Sequence, residues 1–168
     1  MVPTENLDLI IQKCRIFKKY APLPDNILGY YYYDGDYYII LINNILKGNE
    51  RLYRTVLAEE IGHYRTTIGD ITPRKYMCNK DRLEIDKKEL LALRWACDFL
   101  IPTDSLIELV KNKNAISLAD MADYFMVTEE FMMKKFEFMA KIKAVWDLDS
   151  NRKLCLFNLP SVFIYEGI

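Results

Sequence analysis

The chain contains a single histidine, His63, among its 168 residues. Any mechanism that needs two imidazoles is therefore excluded, and so is the three-histidine zinc site. A Ser-His-Asp or Cys-His arrangement would also have to use this one ring. His63 is for that reason the first residue to examine for chemistry.

A strong net charge is also missing. Lysine and arginine together number 23, against 24 aspartates and glutamates, which leaves a formal net charge of −1. No overall cationic field exists that would attract nucleic acid or anionic lipid without specificity. The charge balance therefore predicts neither direct nucleic-acid binding nor attachment to a membrane surface.

Long apolar runs, targeting signals and closely spaced cysteines are likewise lacking. The longest strongly apolar stretch, residues 37–42, is far too short to span a membrane. The N-terminus is acidic and lacks the basic start and apolar run of a secretory signal. The four cysteines form no Cys-x-x-Cys pair and are predicted to be reduced, mostly buried thiols. We expect a cytoplasmic protein without a membrane segment.

The composition that remains is typical of a globular protein. Hydrophobic residues make up 51% of the chain and charged residues 28%, with six glycines and six prolines. These proportions exclude collagen-like and low-complexity chains. At this length we expect one domain, or a core with a small appendage.

Apolar spacing predicts a series of helices and a small sheet. Helices are expected over residues 7–20, 50–67, 81–100, 104–113, 118–125 and 129–143. Two β-prone runs within residues 29–42 flank Asp34-Gly35, which indicates a hairpin, and the apolar tail 154–164 is expected to form a strand. The fold class is therefore predicted to be α+β. Three parts are expected, namely a core (1–102), a helical part (103–145) and a C-terminal extension (146–168).

The predicted helix 50–67 carries the one motif that indicates catalysis, Glu59-Glu60-x-x-His63. Helical geometry places Glu59 and His63 one turn apart on the same face, so that both can hold one ion. Glu60 lies where a carboxylate can accept the proton of a metal-bound water. Taken on its spacing alone, the motif fits an alternative better, namely a solvated glutamate pair beside a core histidine.

A third ligand has to come from another element, and three acids lie near the start of the predicted helix 81–100. Glu89 shares a face with Ala92 and Ala96, which should point inward, so its carboxylate is expected beside the core. Glu84 and Asp86 are expected to be solvated acids of the first turn, favoured there by the helix dipole. Glu89 is therefore the preferred third ligand.

Two sequence blocks together resemble the ImmA/IrrE metallo-endopeptidases, in particular their short members encoded by phages and mobile elements. The blocks are Leu57-Ala58-Glu59-Glu60-Ile61-Gly62-His63-Tyr64 followed by Thr67-x-Gly69-Asp70, and Glu89-x-x-Ala92-x-x-Trp95-Ala96-x-x-x-Leu100-Ile101-Pro102. They occur in the expected order and spacing, and the resemblance runs from the first helix through Phe138. It implies a zincin-like helical core with a small sheet.

The same resemblance implies roles for individual residues. Metal ligands are implied at Glu59, His63 and Glu89, and Glu60 is implied as the general base. Zinc is the implied cofactor. The implied activity is cleavage of a helix-turn-helix transcriptional repressor, often encoded by an adjacent gene.

The chain departs from the broader family at Glu59, where that family has histidine. Two carboxylates and one imidazole cancel the charge of a divalent ion, whereas two imidazoles and one carboxylate leave +1. The ion becomes a weaker Lewis acid, and oxygen-rich ligation widens the acceptable metals towards Mn²⁺ or Fe²⁺. An active protease that uses zinc or another metal is favoured. The alternative is a catalytically degenerate relative that acts as a protein-binding module.

Two further regions are assigned to binding. A protease that reads extended peptide commonly adds it to a sheet edge, and the candidate edge strand 37–42 carries Tyr37, Ile39 and Leu41; plain structural sheet is an equal interpretation. Residues 117–131 have a helix-turn-helix spacing, with Met126 where glycine is usual. Because its second helix opens with Glu129-Glu130, which phosphates repel, this part is predicted to pack and to recognise a repressor rather than DNA.

Overall fold

The computed structural model describes residues 1–66, 79–112 and 117–167, and for residues 79–85 it describes the main chain alone. The chain forms two compact units, Val2–Ala96 and Cys97–Ile168, and the second unit also includes Met1. The division lies within a long helix and not at residue 102. The predicted segments 103–145 and 146–168 both belong to the second unit.

The first unit combines helices with a small sheet. In chain order its elements are α1 (Thr4–Lys13), β1 (Phe17–Ala21), β2 (Gly29–Tyr33), β3 (Tyr38–Asn43), a 3-10 turn (Asn44–Leu46), α2 (Glu50–Thr66) and α3 (Asn79–Leu100), which continues into the second unit. The predicted α+β class is confirmed. The motif residues Thr67, Gly69 and Asp70 lie outside the described residues.

The first helix is shorter than the apolar spacing predicts. The spacing predicts a helix over residues 7–20, but α1 ends at Lys13. The chain turns at Arg15, whose φ of 53° lies in the left-handed region. A right-handed helix cannot continue through that conformation. Residues 17–21 instead form β1, which pairs in parallel with β3, Phe17 opposite Ile39. This pairing is between distant residues, so the local pattern could not reveal it.

The hairpin predicted at Asp34-Gly35 is confirmed. β2 and β3 pair in antiparallel fashion, and Gly35 has a φ of 106°, a conformation that favours glycine. The Asp34 carboxylate accepts hydrogen bonds from the backbone N–H groups of Asp36 and Tyr37, at 3.0 and 2.7 Å. These bonds hold the loop and lower the pKa of the Asp34 carboxyl.

The assignment of an edge strand to residues 37–42 is wrong. The order in the sheet is β1-β3-β2, so that β3, which holds Ile39 and Leu41, has a partner on each side. Tyr37 lies in the hairpin loop just before β3. The physical reason is the parallel pairing of β1, which occupies the side of β3 that the hairpin leaves open. The edges of this sheet are β1 and β2.

Helix α2 is the central helix of the first unit, as its apolar residues on two sides predict. It packs against β2, β3 and α1, and its buried residues include Val56, Leu57, Ala58 and Ile61. Near its C-terminal end it meets α3 closely. A Cβ on Gly62 would lie 2.4 Å from the carbonyl oxygen of Ala92, so only glycine allows this approach.

The described part of the second unit contains the end of α3, three further helices and a second sheet. Its elements after α3 are α4 (Thr103–Lys111), α5 (Leu118–Phe125), α6 (Glu129–Ile142), β4 (Val145–Asp147), β5 (Arg152–Asn158) and β6 (Ser161–Glu166). The strands form an antiparallel sheet of order β4-β5-β6. The single strand predicted over 154–164 is therefore wrong, because a turn at residues 159–160 divides that apolar run between β5 and β6.

Two segments of this unit have the Ser-x-x-acid pattern of a capping box, Ser105-x-x-Glu108 and Ser117-x-x-Asp120, and only the second forms one. Ser117 caps α5 in a reciprocal capping box with Asp120, and Met126 after α5 adopts the left-handed conformation usually taken by glycine. Ser105 caps nothing, because α4 already begins at Thr103, behind Pro102. Most of the apolar run of α6 is buried and forms core. None of the described helices is long and apolar enough to cross a membrane.

Substitution of Gly62 by alanine tests the close approach of α2 and α3. Helix propensity alone would favour alanine by about 1 kcal/mol. The new methyl group would instead overlap the backbone of Ala92, and such overpacking typically costs about 1–3 kcal/mol. We expect the free energy of unfolding, measured by urea denaturation, to fall. Arg65→Ala, at an exposed position of the same helix, is the control; a Gly62→Ala variant as stable as the wild type would contradict the contact.

Candidate metal centre

Helix α2 supplies three of the residues that the sequence singles out. Glu59 and His63 lie one helical turn apart, and Glu60 follows Glu59 on the adjacent face. His63 and Glu60 are buried, whereas Glu59 is partly exposed. The helix therefore presents one accessible carboxylate and one buried imidazole on the same side.

Helix α3 brings the fourth residue to this point. The Glu89 Oε2 atom lies 3.3 Å from Nε2 of His63. One ligand atom from each of Glu59, His63 and Glu89 lies within 4.8 Å of the others. The structure thus brings together the three predicted ligands. Asp86, the competing acid of α3, is exposed, and the side chain of Glu84 lies outside the described residues.

The close contact at Gly62 explains why Glu89 reaches His63. Gly62 directly precedes His63, and Ala92, which it contacts, lies one turn after Glu89 on α3. Ala92 is fully buried. A contact at this point sets the separation of the two helices where the ligand side chains leave them. The glycine is therefore part of the architecture of the centre.

The electrostatics of the centre favour a cation. Burial raises the pKa of Glu59, and the nearby Glu89 carboxylate adds to the rise while His63 opposes it. Burial raises the pKa of Glu60 well above its usual value, and the charges of Glu59 and Glu89 raise it further. Three carboxylates thus lie around one imidazole in a partly desolvated site. Positive charge placed among them would relieve both the repulsion and the cost of burial.

The donor set fits a divalent metal ion. Glu59, His63 and Glu89 offer carboxylate oxygen and imidazole nitrogen, which are ligands for Zn²⁺, Mn²⁺ and Fe²⁺. The described residues offer three protein ligands, which is the number typical of catalytic zinc sites that keep a further position open for water or substrate. A purely structural zinc site would instead be closed by a fourth protein ligand.

Two residues of β2 that the sequence analysis did not select also build the centre. The backbone N–H of Tyr31 donates a hydrogen bond to the Glu60 carboxylate. A Cβ on Gly29 would lie 2.4 Å from Oε1 of Glu60, so the glycine leaves the space that this carboxylate occupies. The sequence contains one sign of this arrangement, which is Gly29 itself, because a glycine in a strand often marks a place where another group approaches the backbone closely.

The ring of Tyr31 lies parallel to the imidazole of His63. The ring centroids are 6.4 Å apart and the planes differ by 8°. Burial raises the pKa of Tyr31 to about 12, with smaller contributions from Tyr38 and Tyr64. Its hydroxyl therefore stays protonated at neutral pH. Tyr31 contacts the proposed base through its backbone and lies beside a ligand through its ring.

Comparison with known proteins agrees with this geometry. A family model described as IrrE N-terminal-like domain (Peptidase_M78) matches residues 13–137. No curated protein and no solved structure matched the chain. The matched range contains Glu59, Glu60, His63 and Glu89. Because the match covers well over half of the chain and holds the whole centre, the chain belongs to the IrrE N-terminal-like (ImmA/IrrE) family of metallopeptidases.

Proposed function

We propose that this protein is a metal-dependent endopeptidase that cleaves a helix-turn-helix transcriptional repressor in the cytoplasm. Family membership supports a metallopeptidase-type protein that uses a divalent metal. The observation that carries the proposal is the convergence of Glu59, His63 and Glu89 beside the buried carboxylate of Glu60. The repressor substrate is supported by the resemblance to the short members of the family.

Glu59, His63 and Glu89 are the proposed metal ligands. A bound divalent ion would polarise a peptide carbonyl and lower the pKa of water. The two carboxylates balance the charge of such an ion, while His63 is held against the ring of Tyr31. Zinc is the first candidate, and the oxygen-rich set also suits Mn²⁺ or Fe²⁺.

Glu60 is the proposed general base. A base must be held in place and must have a pKa close enough to neutrality to accept a proton and return it. The hydrogen bond from Tyr31 and the space beside Gly29 fix the Glu60 carboxylate. Burial and the neighbouring carboxylates raise its pKa. Glu60 can then take a proton from water and deliver it to the leaving amine.

The outer edge of β2, which pairs with no other strand among the described residues, is the proposed binding surface for substrate. Two hydrogen bonds show which residues of the β2 segment bond to the β3 segment. The Asp34 N–H donates to the Tyr37 carbonyl at 3.2 Å, and the Asn43 N–H donates to the Leu28 carbonyl at 2.8 Å. In an antiparallel sheet, residue pairs that are hydrogen-bonded to each other alternate with pairs that are not, so residues 28, 30, 32 and 34 are the ones that bond to the β3 segment. Residues 29, 31 and 33 therefore direct their backbone polar groups away from β3 and towards the side where Glu60 lies. The Tyr31 N–H on this side is donated to Glu60, so a peptide would bond to the other groups of this edge. An extended peptide added to this edge would pass beside the proposed base.

Metal binding separates this proposal from its alternative, a non-catalytic protein-binding function, which the replacement of histidine by Glu59 leaves open. We expect the purified protein to bind one Zn²⁺, Mn²⁺ or Fe²⁺ ion per chain, measured by calorimetry and elemental analysis. Glu89→Gln should weaken binding by more than about tenfold, because losing a ligand exceeds the effect of losing a supporting residue. Asp86→Asn removes an exposed carboxylate from the same helix and should change nothing. Equal affinities in both variants would exclude Glu89 as a ligand.

Substitution of Glu60 by glutamine tests the base. The amide keeps the size of the side chain but cannot accept a proton, so cleavage of a co-encoded repressor should fall by at least about 100-fold. Metal affinity should be kept, because Glu60 is not a proposed ligand. Glu108→Gln makes the same exchange at an exposed position of α4 and should cleave normally. Unimpaired cleavage by Glu60→Gln would reject Glu60 as the base.

Alanine at Gly29 tests the placement of Glu60 by β2. The added methyl group would overlap Glu60 and Val56 and push the carboxylate aside. A displacement of about 1 Å can cost about 100-fold in rate, so kcat should fall while metal affinity is kept. The control is Gly167→Ala, where a Cβ would meet its nearest neighbour at an ordinary 3.5 Å. Normal cleavage by Gly29→Ala would show that β2 does not position the base.

A further inference from the structure

A continuous row of aromatic rings leads from the metal centre to the β2–β3 hairpin. Tyr31, which lies parallel to His63, is 6.5 Å from the ring of Tyr64. Tyr64 meets Tyr38 edge-to-face at 4.9 Å, and Tyr38 lies 4.8 Å from Tyr33. The inner end of this row is buried and its outer end is in water.

The outer end of the row is part of a larger exposed aromatic cluster. Tyr33, Tyr37, Tyr38 and Phe17 are each between 38 and 56% exposed. Phe17 and Tyr37 contact each other edge-to-face at 5.0 Å. Single exposed aromatic residues need no explanation, but a contiguous group of them marks a binding surface.

A cavity of about 580 Å³ opens next to this cluster. This volume is within the range of binding sites for small molecules and side chains. Its wall is mainly apolar and aromatic, and it carries one positive and one negative side chain. The lining residues are Ile11, Gln12, Cys14, Arg15, Ile16, Phe17, Asp36, Tyr37 and Tyr38. Because the charges of Arg15 and Asp36 balance, the cavity favours an uncharged apolar group.

The cavity is connected to the metal centre through its wall. Tyr38 lines the cavity and contacts Tyr64, the residue that follows His63. Tyr64 and the Cys14 thiol, which also lines the cavity, are hydrogen-bonded, and this bond raises the pKa of Tyr64. The cavity and the centre thus share one layer of side chains within the first unit.

The outer edge of β2 leads from the centre to the hairpin end of the sheet, where the exposed tyrosines Tyr33, Tyr37 and Tyr38 lie. It passes Glu60 at Gly29 and Tyr31, continues to Tyr33, and ends at the loop that holds Asp36 and Tyr37. An extended peptide advances about 3.3 Å per residue. A peptide lying along β2 with its scissile bond at Glu60 would therefore reach the exposed aromatic cluster about three to five residues further along.

We infer that the exposed tyrosines at the hairpin end of the sheet, with the cavity that opens beside Tyr37 and Tyr38, form a specificity subsite that binds an aromatic or large aliphatic side chain of the peptide substrate, about three to five residues from the bond that is cleaved. The inference rests on the proposed function. It assigns the substrate class as peptides that carry such a side chain on one side of the scissile bond. Aromatic side chains in the substrate would stack against the exposed tyrosines.

Cleavage of a proteome-derived peptide library tests the subsite. The metal-loaded wild-type protein should cut peptides enriched in Phe, Tyr, Trp, Leu or Met at one position in that interval. Tyr38→Ser should remove the enrichment and raise KM by about tenfold while kcat is kept, since a lost apolar contact weakens binding without moving the base. Tyr165→Ser, at an exposed tyrosine of β6, is the matched control. Cleavage without any side-chain preference in the interval would overturn the subsite and leave the protease proposal standing.

A binding experiment keeps the subsite testable even if no peptide is cleaved. The probes are N-acetyl-Ala-Ala-Phe-Ala-Ala-amide and the same peptide with Ala in place of Phe, titrated into the ¹⁵N-labelled Glu60→Gln protein. The Phe peptide should shift the amide signals of Tyr33, Tyr37 and Tyr38, and the Ala peptide should not. Tyr38→Ser should abolish the shifts and keep the circular dichroism spectrum of the fold. Equal effects of both peptides, or shifts elsewhere only, would overturn the inference.

Discussion

The close contact between Gly62 of α2 and Ala92 of α3 is the constraint on which the metal centre depends. Glu59 and His63 are one turn apart on any helix, but a third ligand requires a second helix at a short distance. A side chain at position 62 would push α3 away and carry Glu89 with it. The absence of one methyl group therefore decides whether three ligand atoms can share an ion.

The charges at this point explain why the centre suits a divalent metal despite the replacement of a family histidine by Glu59. Buried carboxylates are unfavourable, and both Glu59 and Glu60 have raised pKa values for that reason. Two carboxylate ligands would offset the charge of a divalent ion fully, which would weaken it as a Lewis acid. The chain places a third carboxylate, Glu60, in a fixed position beside these two. Proton transfer by Glu60 would then carry more of the proposed chemistry than polarisation by the ion.

Strand β2 joins the centre to its proposed substrate. It holds Glu60 with a backbone hydrogen bond, places the ring of Tyr31 beside His63, and is an edge strand among the strands that the structure describes. From the sequence alone, β3, the other strand of the hairpin, is the candidate edge strand for substrate, with plain structural sheet as an equal interpretation. Both strands are rich in aromatic and branched residues, so local pattern cannot distinguish a central strand from an edge strand. The parallel pairing of β1 with β3 makes that decision.

The sequence by itself determined the α+β class, the hairpin at Asp34-Gly35, the extent of α2 and the four residues of the centre, because these follow from spacing along one element or from two family blocks. Only the tertiary structure decided where α1 ends, which strand is central, that the tail forms a hairpin, and that Gly29 and Tyr31 hold Glu60. These features depend on contacts between residues distant in sequence. The spacing of apolar residues along the chain does not reveal such contacts. Residues 17–20, for example, fit the apolar pattern of a helix, but they form a strand because they pair with β3.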